Sequence, residues 1–221
     1  MADEEAPRRG PIFERETLEF ERVAFFSDAI FAIAMTLLAV GLDVPKIADE
    51  VSGKELLEAF DDMGSQILMF FISFAVLGSF WLAHHRFFGR LSTIDRRVTG
   101  VNLLYLAFIA FLPFPSSVLG AYGDNAVAVG LYACCIAAIS LTGALMSELS
   151  VRRGLYRTTP DPAVVRWQRV MSVVPGAYFL ATVPLAVVLP ATAVYSWILL
   201  WPLTVVLQRR MPKEVLAGFE R

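Results

Sequence analysis

The sequence predicts an all-α integral membrane protein with six transmembrane helices per chain and both termini in the cytoplasm. Three observations carry this reading. Hydrophobic residues fill 57% of the 221 positions, charged residues 18%, and the mean hydropathy is +0.60; so few charges do not cover the surface of a water-soluble domain of this length. Six uncharged stretches are long enough to cross about 30 Å of hydrocarbon: Val23 to Leu42, Ser65 to Ala83, Val101 to Leu119, Ala126 to Met146, Val170 to Leu189 and Ala191 to Leu207, with Asp28 the one charge inside them. Of the 19 Lys and Arg, all but Lys46 and Lys54 fall in alternate connecting segments and the two tails, which places those segments on the cytoplasmic side.

Taken in order, the first stretch is expected to stay in the mature chain, because acidic residues flank it and no small-residue cleavage pattern follows. The loop after it reads Ser52-Gly53-Lys54-Glu55, a capping box ahead of Leu56, Phe60 and Met63 at helical spacing, and so predicts a short amphipathic helix. Asp43, Asp49, Glu50, Glu55, Glu58, Asp61 and Asp62 outweigh Lys46 and Lys54 there, and that loop attracts cations or is simply a solvated surface. Cys134 and Cys135 lie inside the fourth span, where packing suits them better than a disulfide. Pro175, Pro184, Pro190 and Pro202 punctuate the last two spans; the reading taken is a tight outer hairpin, with kinked or re-entrant helices as the alternative. No internal repeat is visible, so residues 1–221 read as one domain, with residues 1–20 and 208–221 as tails or helix extensions.

Several functions are disfavoured. A net charge of -2 and a pI near 5.7 give nucleic acid no electrostatic support. The two adjacent histidines cannot fill a tetrahedral zinc site alone. The spans offer no Ser-His-Asp set, no second acid and no metal cluster for an enzyme to use.

Asp28 is the group to explain, since a carboxylate in hydrocarbon is tolerated only when it faces protein or water. It follows Ser27 near the cytoplasmic end of the first span, about 7 to 9 Å along the helix from Arg22. Trp81 and Asn102 each lie five residues, about 7 Å, from Arg86 and Arg97, so polar groups on three helices share one depth. His84 and His85 lie slightly nearer the interface. Two arrangements fit this spacing: a network closing around Asp28, or an Asp28 that reaches back to the interface while Trp81 joins an aromatic belt.

Ile33, Thr36 and Val40 make one stripe of the same helix, joined a heptad earlier by Phe26 and Ala29, and lie about 140° round from Asp28. If Asp28 faces its own protomer, that stripe faces lipid, another helix or an oligomer axis.

The run Arg22-x-x-x-Phe26-Ser27-Asp28, followed by Ala29-Ile30-Phe31-Ala32-Ile33-Ala34-Met35-Thr36, resembles the first helix of the endolysosomal potassium channel family called transmembrane protein 175, above all its prokaryotic members with one six-helix unit per chain. Ser73-Phe74 through Trp81-x-x-His84-His85 is similar to the family's second helix, and Asn102 with Pro113-Phe114 to its third; the last three spans are similar in number and placement. The resemblance implies a homotetramer whose first helices surround a central pore without a carbonyl filter loop. No Thr-Val-Gly-Tyr-Gly run occurs here. It places the pore constriction on Ile33, a hydroxyl ring on Thr36 and an outer apolar ring on Val40. Arg22, Phe26, Ser27, Asp28, Trp81, His84, His85 and Asn102 then hold the pore helix against the next two.

The expected function is a potassium-permeable cation channel of the cell membrane, modestly preferring potassium to sodium. Its expected partners are further copies of itself, monovalent cations and the lipid bilayer, with no cofactor and no bound metal beyond the permeating ion. The alternative is a proton-coupled secondary transporter in which Asp28 relays protons with His84 or His85.

Overall fold

The computed structural model describes residues 12–15, 17–42, 52–199 and 206. Five segments among them are long and apolar enough to cross a membrane: Leu18–Val40, Gly64–Arg90, Arg96–Ala121, Ala126–Arg152 and Pro162–Val188. Of the expected sixth span, Ala191 to Leu207, residues through Leu199 and Val206 are described; the rest of it, Asp43, Lys46, Asp49, Glu50 and the outer parts of both tails lie outside the described residues.

Helix α1 (Leu18–Val40) carries Glu19 and Glu21 in its first turn, where the helix dipole favours negative charge. The capping box forms as expected: α2 (Gly53–Asp62) opens with the Ser52 hydroxyl accepting from the Glu55 N–H while the Glu55 carboxylate accepts from the Ser52 N–H at 2.9 Å. After Met63 the chain turns into α3 (Gly64–Arg90), which outlasts the expected second span because its arginine-bearing last turns project beyond the apolar stretch. Asp95, Asn125 and Asp161 cap the next long helices, each side chain accepting a backbone N–H of the first turn.

Two expectations need correction. The third span is not one helix but α4 (Arg96–Phe111) and α5 (Pro113–Ala121) meeting at Leu112. Pro113 and Pro115 have no N–H to give to Ile109 and Phe111, so the hydrogen-bond ladder breaks there. The chain before α1 is also neither a helix extension nor a loose tail throughout. Ile12–Glu14 forms a strand, β1, antiparallel to β2 (Thr93–Asp95), pairing Phe13 with Ile94. Arg15 then donates through Nη1 to the carbonyls of Phe88, Gly89 and Leu91 at 3.1, 2.9 and 3.2 Å, tying the start of the chain to the end of α3. Its partial burial and the neighbouring Arg157 lower its pKa from the ordinary guanidinium value.

Helix α6 (Ala126–Arg152) is the centre of the bundle: 56% of its most apolar stretch is buried, against 22% for α1. It ends in a Schellman turn, with Gly154 at φ 65° and the Leu155 N–H reaching back to the Ser150 carbonyl at 3.1 Å. That turn delivers Leu155 into a small core at the arginine-rich end, with Phe20, Phe87, Phe88, Leu91, Ile94, Val98 and Met146. The main core, around Leu77, Ile109, Tyr132, Ile136 and Phe179, lies deeper in the bundle.

Helix α7 (Pro162–Val188) runs on through Pro175 and Pro184. Past Leu189 the chain reverses into α8 (Pro190–Ser196) and a single 3-10 turn, Trp197–Leu199. Tyr178 donates to the Ser196 carbonyl at 2.6 Å, and Trp197 donates to Thr182 at 2.9 Å. The described part of the expected hairpin therefore folds back on α7.

Candidate functional site

Helix α1 has two unlike sides. Ser27, Phe31, Ala34 and Leu38 recur at four-, three- and four-residue steps and are buried. They seat the helix against α3, α4 and α5. The opposite stripe is open among the described residues: Ile33 is 54% exposed, Val40 77%, and Ala29 and Thr36 are exposed beside them. The angular relation expected from the sequence therefore holds in three dimensions.

On the seated side, polar groups from three helices meet at one level, but as two separate clusters rather than one network around Asp28. In the first, Trp81 of α3 donates its indole N–H to Asp28 Oδ1 at 2.9 Å. The His85 ring lies against Trp81, 5.6 Å between centroids. In the second, Asn102 of α4 links α1 to α3. Its amide N–H donates to Ser27 Oγ at 3.0 Å, and its carbonyl oxygen pairs with His84 Nε2 at 2.8 Å. Ser27 passes its own hydroxyl proton to the Val23 carbonyl at 2.8 Å. Because the Asn102 oxygen can only accept, His84 Nε2 is the donor, and every group in the chain is satisfied in one direction.

His84 is buried among three rings, with centroids 4.5 Å from Phe88, 5.5 Å from Tyr105 and 5.5 Å from Phe31. Among the described residues, no hydrogen bond joins Asp28 to either histidine. Arg22 and Phe26, expected in the same network, are exposed and take no part in these hydrogen bonds. Arg22 lies at the exposed start of the helix, and Phe26 falls on the open side of α1, a heptad before Ile33.

On the open side, Thr36 donates its hydroxyl to the Ile33 carbonyl at 2.8 Å. Its proton is thus committed inward, and the oxygen lone pairs are left for an outside partner.

A third polar cluster was not singled out in the sequence as a joint. Ser73 of α3 lies 2.7 Å from Ser116 of α5 and 3.1 Å from the Tyr132 hydroxyl of α6, oxygen to oxygen, all buried. Lone hydroxyls in three separate apolar runs were the only available signal.

A helical membrane bundle whose first helix is anchored by polar side chains on one side and open on the other matches a known class of channel proteins. The family model described as "Endosomal/lysosomal potassium channel TMEM175" matches residues 22–113, from the start of the anchored helix to the proline break. A potassium channel of Streptomyces collinus is 34% identical over 175 residues, 77% of this chain and 84% of that one. The human endosomal/lysosomal proton channel TMEM175 is 37% identical over 103 residues, which span 20% of its length. The crystal structure of a lysosomal potassium-selective channel TMEM175 homolog from Chamaesiphon minutus superposes with a TM-score of 0.71, covering 88% of this chain and 99% of that one at 24% identity. The chain belongs to the TMEM175 family.

Proposed function

We propose that the protein is a potassium-permeable cation channel of the cell membrane, a homotetramer in which four copies of α1 surround the ion path and both termini face the cytoplasm. The observation that carries this reading is the open stripe of Ile33, Thr36 and Val40, diametrically unlike the anchored side of the same helix. Such a stripe on a helix otherwise tied down by Trp81 and Asn102 suits a symmetry axis.

Four Ile33 side chains around that axis make an apolar constriction, which conducts when wide enough to stay wet and closes by dewetting. One turn further, four Thr36 oxygens, their protons already given to backbone carbonyls, replace part of a cation's hydration shell. Val40 forms the outer apolar ring. Without a rigid carbonyl cage, the preference for potassium over sodium is modest. Ser27, Asp28, Trp81, His84, His85 and Asn102 serve assembly, setting the tilt and rotation of α1.

The relatives divide between potassium channels in bacteria and proton channels in animals by name. The bacterial match covers far more of this chain, and Asp28 is bound to an indole rather than to a histidine relay. Potassium is therefore the ion assigned. In planar bilayers with a potassium gradient opposed to a sodium gradient, unitary currents should reverse on the potassium side of zero. Currents that follow an imposed pH gradient instead, the absence of unitary events, or a lone protomer in nanodisc images would each defeat the reading.

A further inference from the structure

We propose, on the reading that four copies of α1 surround the ion path, that Gly41 is a positioning residue for that path: its bare backbone, seated on Ser117 of α5, sets how far the outer end of α1 stands from the axis and so the width of the Val40 ring. Gly41 continues the seated face of the helix, three residues past Leu38 in the series Ser27, Phe31, Ala34 and Leu38. Its neighbour Val40 lies on the open face. No special backbone is needed where α1 ends, since Gly41 has φ -75° and ψ -1°, which any residue adopts. Space is what calls for glycine. A Cβ at Gly41 would overlap the Ser117 hydroxyl oxygen, yet it would stay 3.5 Å from the Ser117 Cβ, an ordinary contact. The obstacle to a side chain at this position is therefore one oxygen atom.

Helix α5 is the fixed member of this contact. Its start is set by the proline break at Leu112, and it packs on α3 and α6 as well as on α1. At its far end a Cβ on Gly120 would lie 3.2 Å from the Gln66 Cα, and the Ser65 hydroxyl donates to the Gly120 carbonyl at 3.0 Å, so α3 already stands close behind it. Ser116, next to Ser117, is held to Ser73 at 2.7 Å. Ser117 donates its hydroxyl to the Pro113 carbonyl at 3.1 Å, which holds the oxygen that faces Gly41. Bulk added at Gly41 is thus relieved by movement of α1, away from the seated side and toward the axis. The contact lies about 20 Å along α1 from Asp28. It acts as a stop at one end of a helix whose other end is tied by Trp81 and Asn102, limiting distance and leaving rotation to those hydrogen bonds.

The test is single-channel recording in planar bilayers of Gly41→Ala, Ser117→Ala and the two combined. Gly41→Ala should lower the unitary potassium conductance about threefold by driving Val40 inward. Ser117→Ala alone should leave it within about 1.3-fold of the parent, because the Ser117 hydroxyl bonds only within its own helix. The combined variant should return to the parent value, since the oxygen in the way is gone and the remaining contact is 3.5 Å. Parent-sized currents in Gly41→Ala, the result if the Ser117 hydroxyl swings aside, overturn the proposal. So does a reduction that Ser117→Ala does not reverse. Where Gly41→Ala alone forms no channels, the combined variant decides: parent-sized currents uphold the contact, and their absence overturns it. Val40→Ala separates the positioning role from the pore itself. A conductance altered by Val40→Ala but not by Gly41→Ala defeats the role of Gly41 alone, whereas one that Val40→Ala leaves unchanged takes Val40 out of the ion path and the role of Gly41 with it.

Discussion

The two halves of the molecule hold together by different means. In the first half, α1 through α5, helices are joined by directed polar contacts: Trp81 to Asp28, Asn102 to Ser27 and His84, Ser73 to Ser116. In the second, α6 and α7 are joined by shape along their apolar length, with directed contacts, Gln168 to Ser147 and Arg169 to Glu148, only at their arginine-rich ends. A Cβ on Gly176 would lie 2.9 Å from the Ser140 Cβ and 3.2 Å from the Ala137 Cα, so only glycine lets the two helices come this close. Tyr132, Phe179 and Trp197 then stack around the Thr182 hydroxyl at the far end of the pair. A hydrogen bond fixes both distance and rotation, whereas apolar shape packing tolerates sliding. The directed contacts lie beside the helix proposed to line the pore, where rotation decides which residues face the ion.

The largest expected effect is at the joint nearest that helix. Asp28→Ala leaves the Trp81 indole without its acceptor and frees α1 to rotate; most of the tetramer should be lost in size-exclusion chromatography with light scattering, before any change in ion preference. A stable Asp28→Ala tetramer with altered permeability would put Asp28 in the ion path instead. On the shape-packed side, Gly176→Ala forces α6 and α7 apart and should lower stability by about 1–3 kcal/mol. That change is visible as a fall in the temperature at which the detergent-solubilised protein precipitates. The ratio of potassium to sodium permeability should not move, and a shift in that ratio would erase the distinction between the halves.

Asn102→Leu tests whether the directed contacts contribute more through orientation than through energy. Hydrogen bonds between membrane helices contribute only modestly, so the loss in stability should be about 1–2 kcal/mol although the Asn102 side chain bridges two helices. Open probability in single-channel records should nevertheless change, because Ser27 on the pore helix loses its tie.

This difference also explains what was legible in the sequence. Polar residues stand out in apolar runs, so Asp28, Trp81 and Asn102 could be placed at one depth by counting from flanking arginines, and the capping box at Ser52 named its helix. Counting depth does not give azimuth, which is why spacing left a network around Asp28 and an Asp28 reaching back to the interface both open, and did not separate Asp28–Trp81 from Ser27–Asn102–His84. Arg22 was drawn into the cluster by a motif, though its helix position faces out. Packing by shape leaves almost no mark: Gly176 reads as one small residue among many. The strand at Ile12–Glu14 was missed because three residues are too few for a periodic pattern, and their partner lies about eighty positions along the chain.

Thr36→Ala probes the open side alone. Among the described residues the hydroxyl makes its hydrogen bond to the Ile33 carbonyl of the same helix, so stability should change by less than about 0.5 kcal/mol. The potassium preference, read from reversal potentials under mixed-cation conditions, should fall by about two- to threefold as the oxygens are removed from the ion's surroundings. Unchanged selectivity would remove Thr36 from the mechanism and leave the apolar rings of Ile33 and Val40 as the contributors from this stripe.

The smallest effect lies outside the membrane, at the cap of α2. Hydrogen bonds from Ser52, backbone first and side chain second, hold the Glu55 pKa below its ordinary value of 4.5. A carboxylate whose folded pKa is depressed supports the fold fully above its unfolded value and loses that support as the pH falls through the folded one. The first turn of α2 should therefore be unaffected by pH near neutrality and should loosen only in acid below 4.5. The carboxyl carbon shift of Glu55, followed by nuclear magnetic resonance in nanodiscs, should titrate below that value, and Ser52→Ala, which removes the side-chain hydrogen bond and keeps the backbone one, should raise it only part of the way. Because Glu55 is fully solvated, the helices beyond Met63 should not respond. A coupled change at Trp81 or Asn102 in the same titration would mean that the outer helix bears on the anchor of α1, joining two regions that are separate in the static structure.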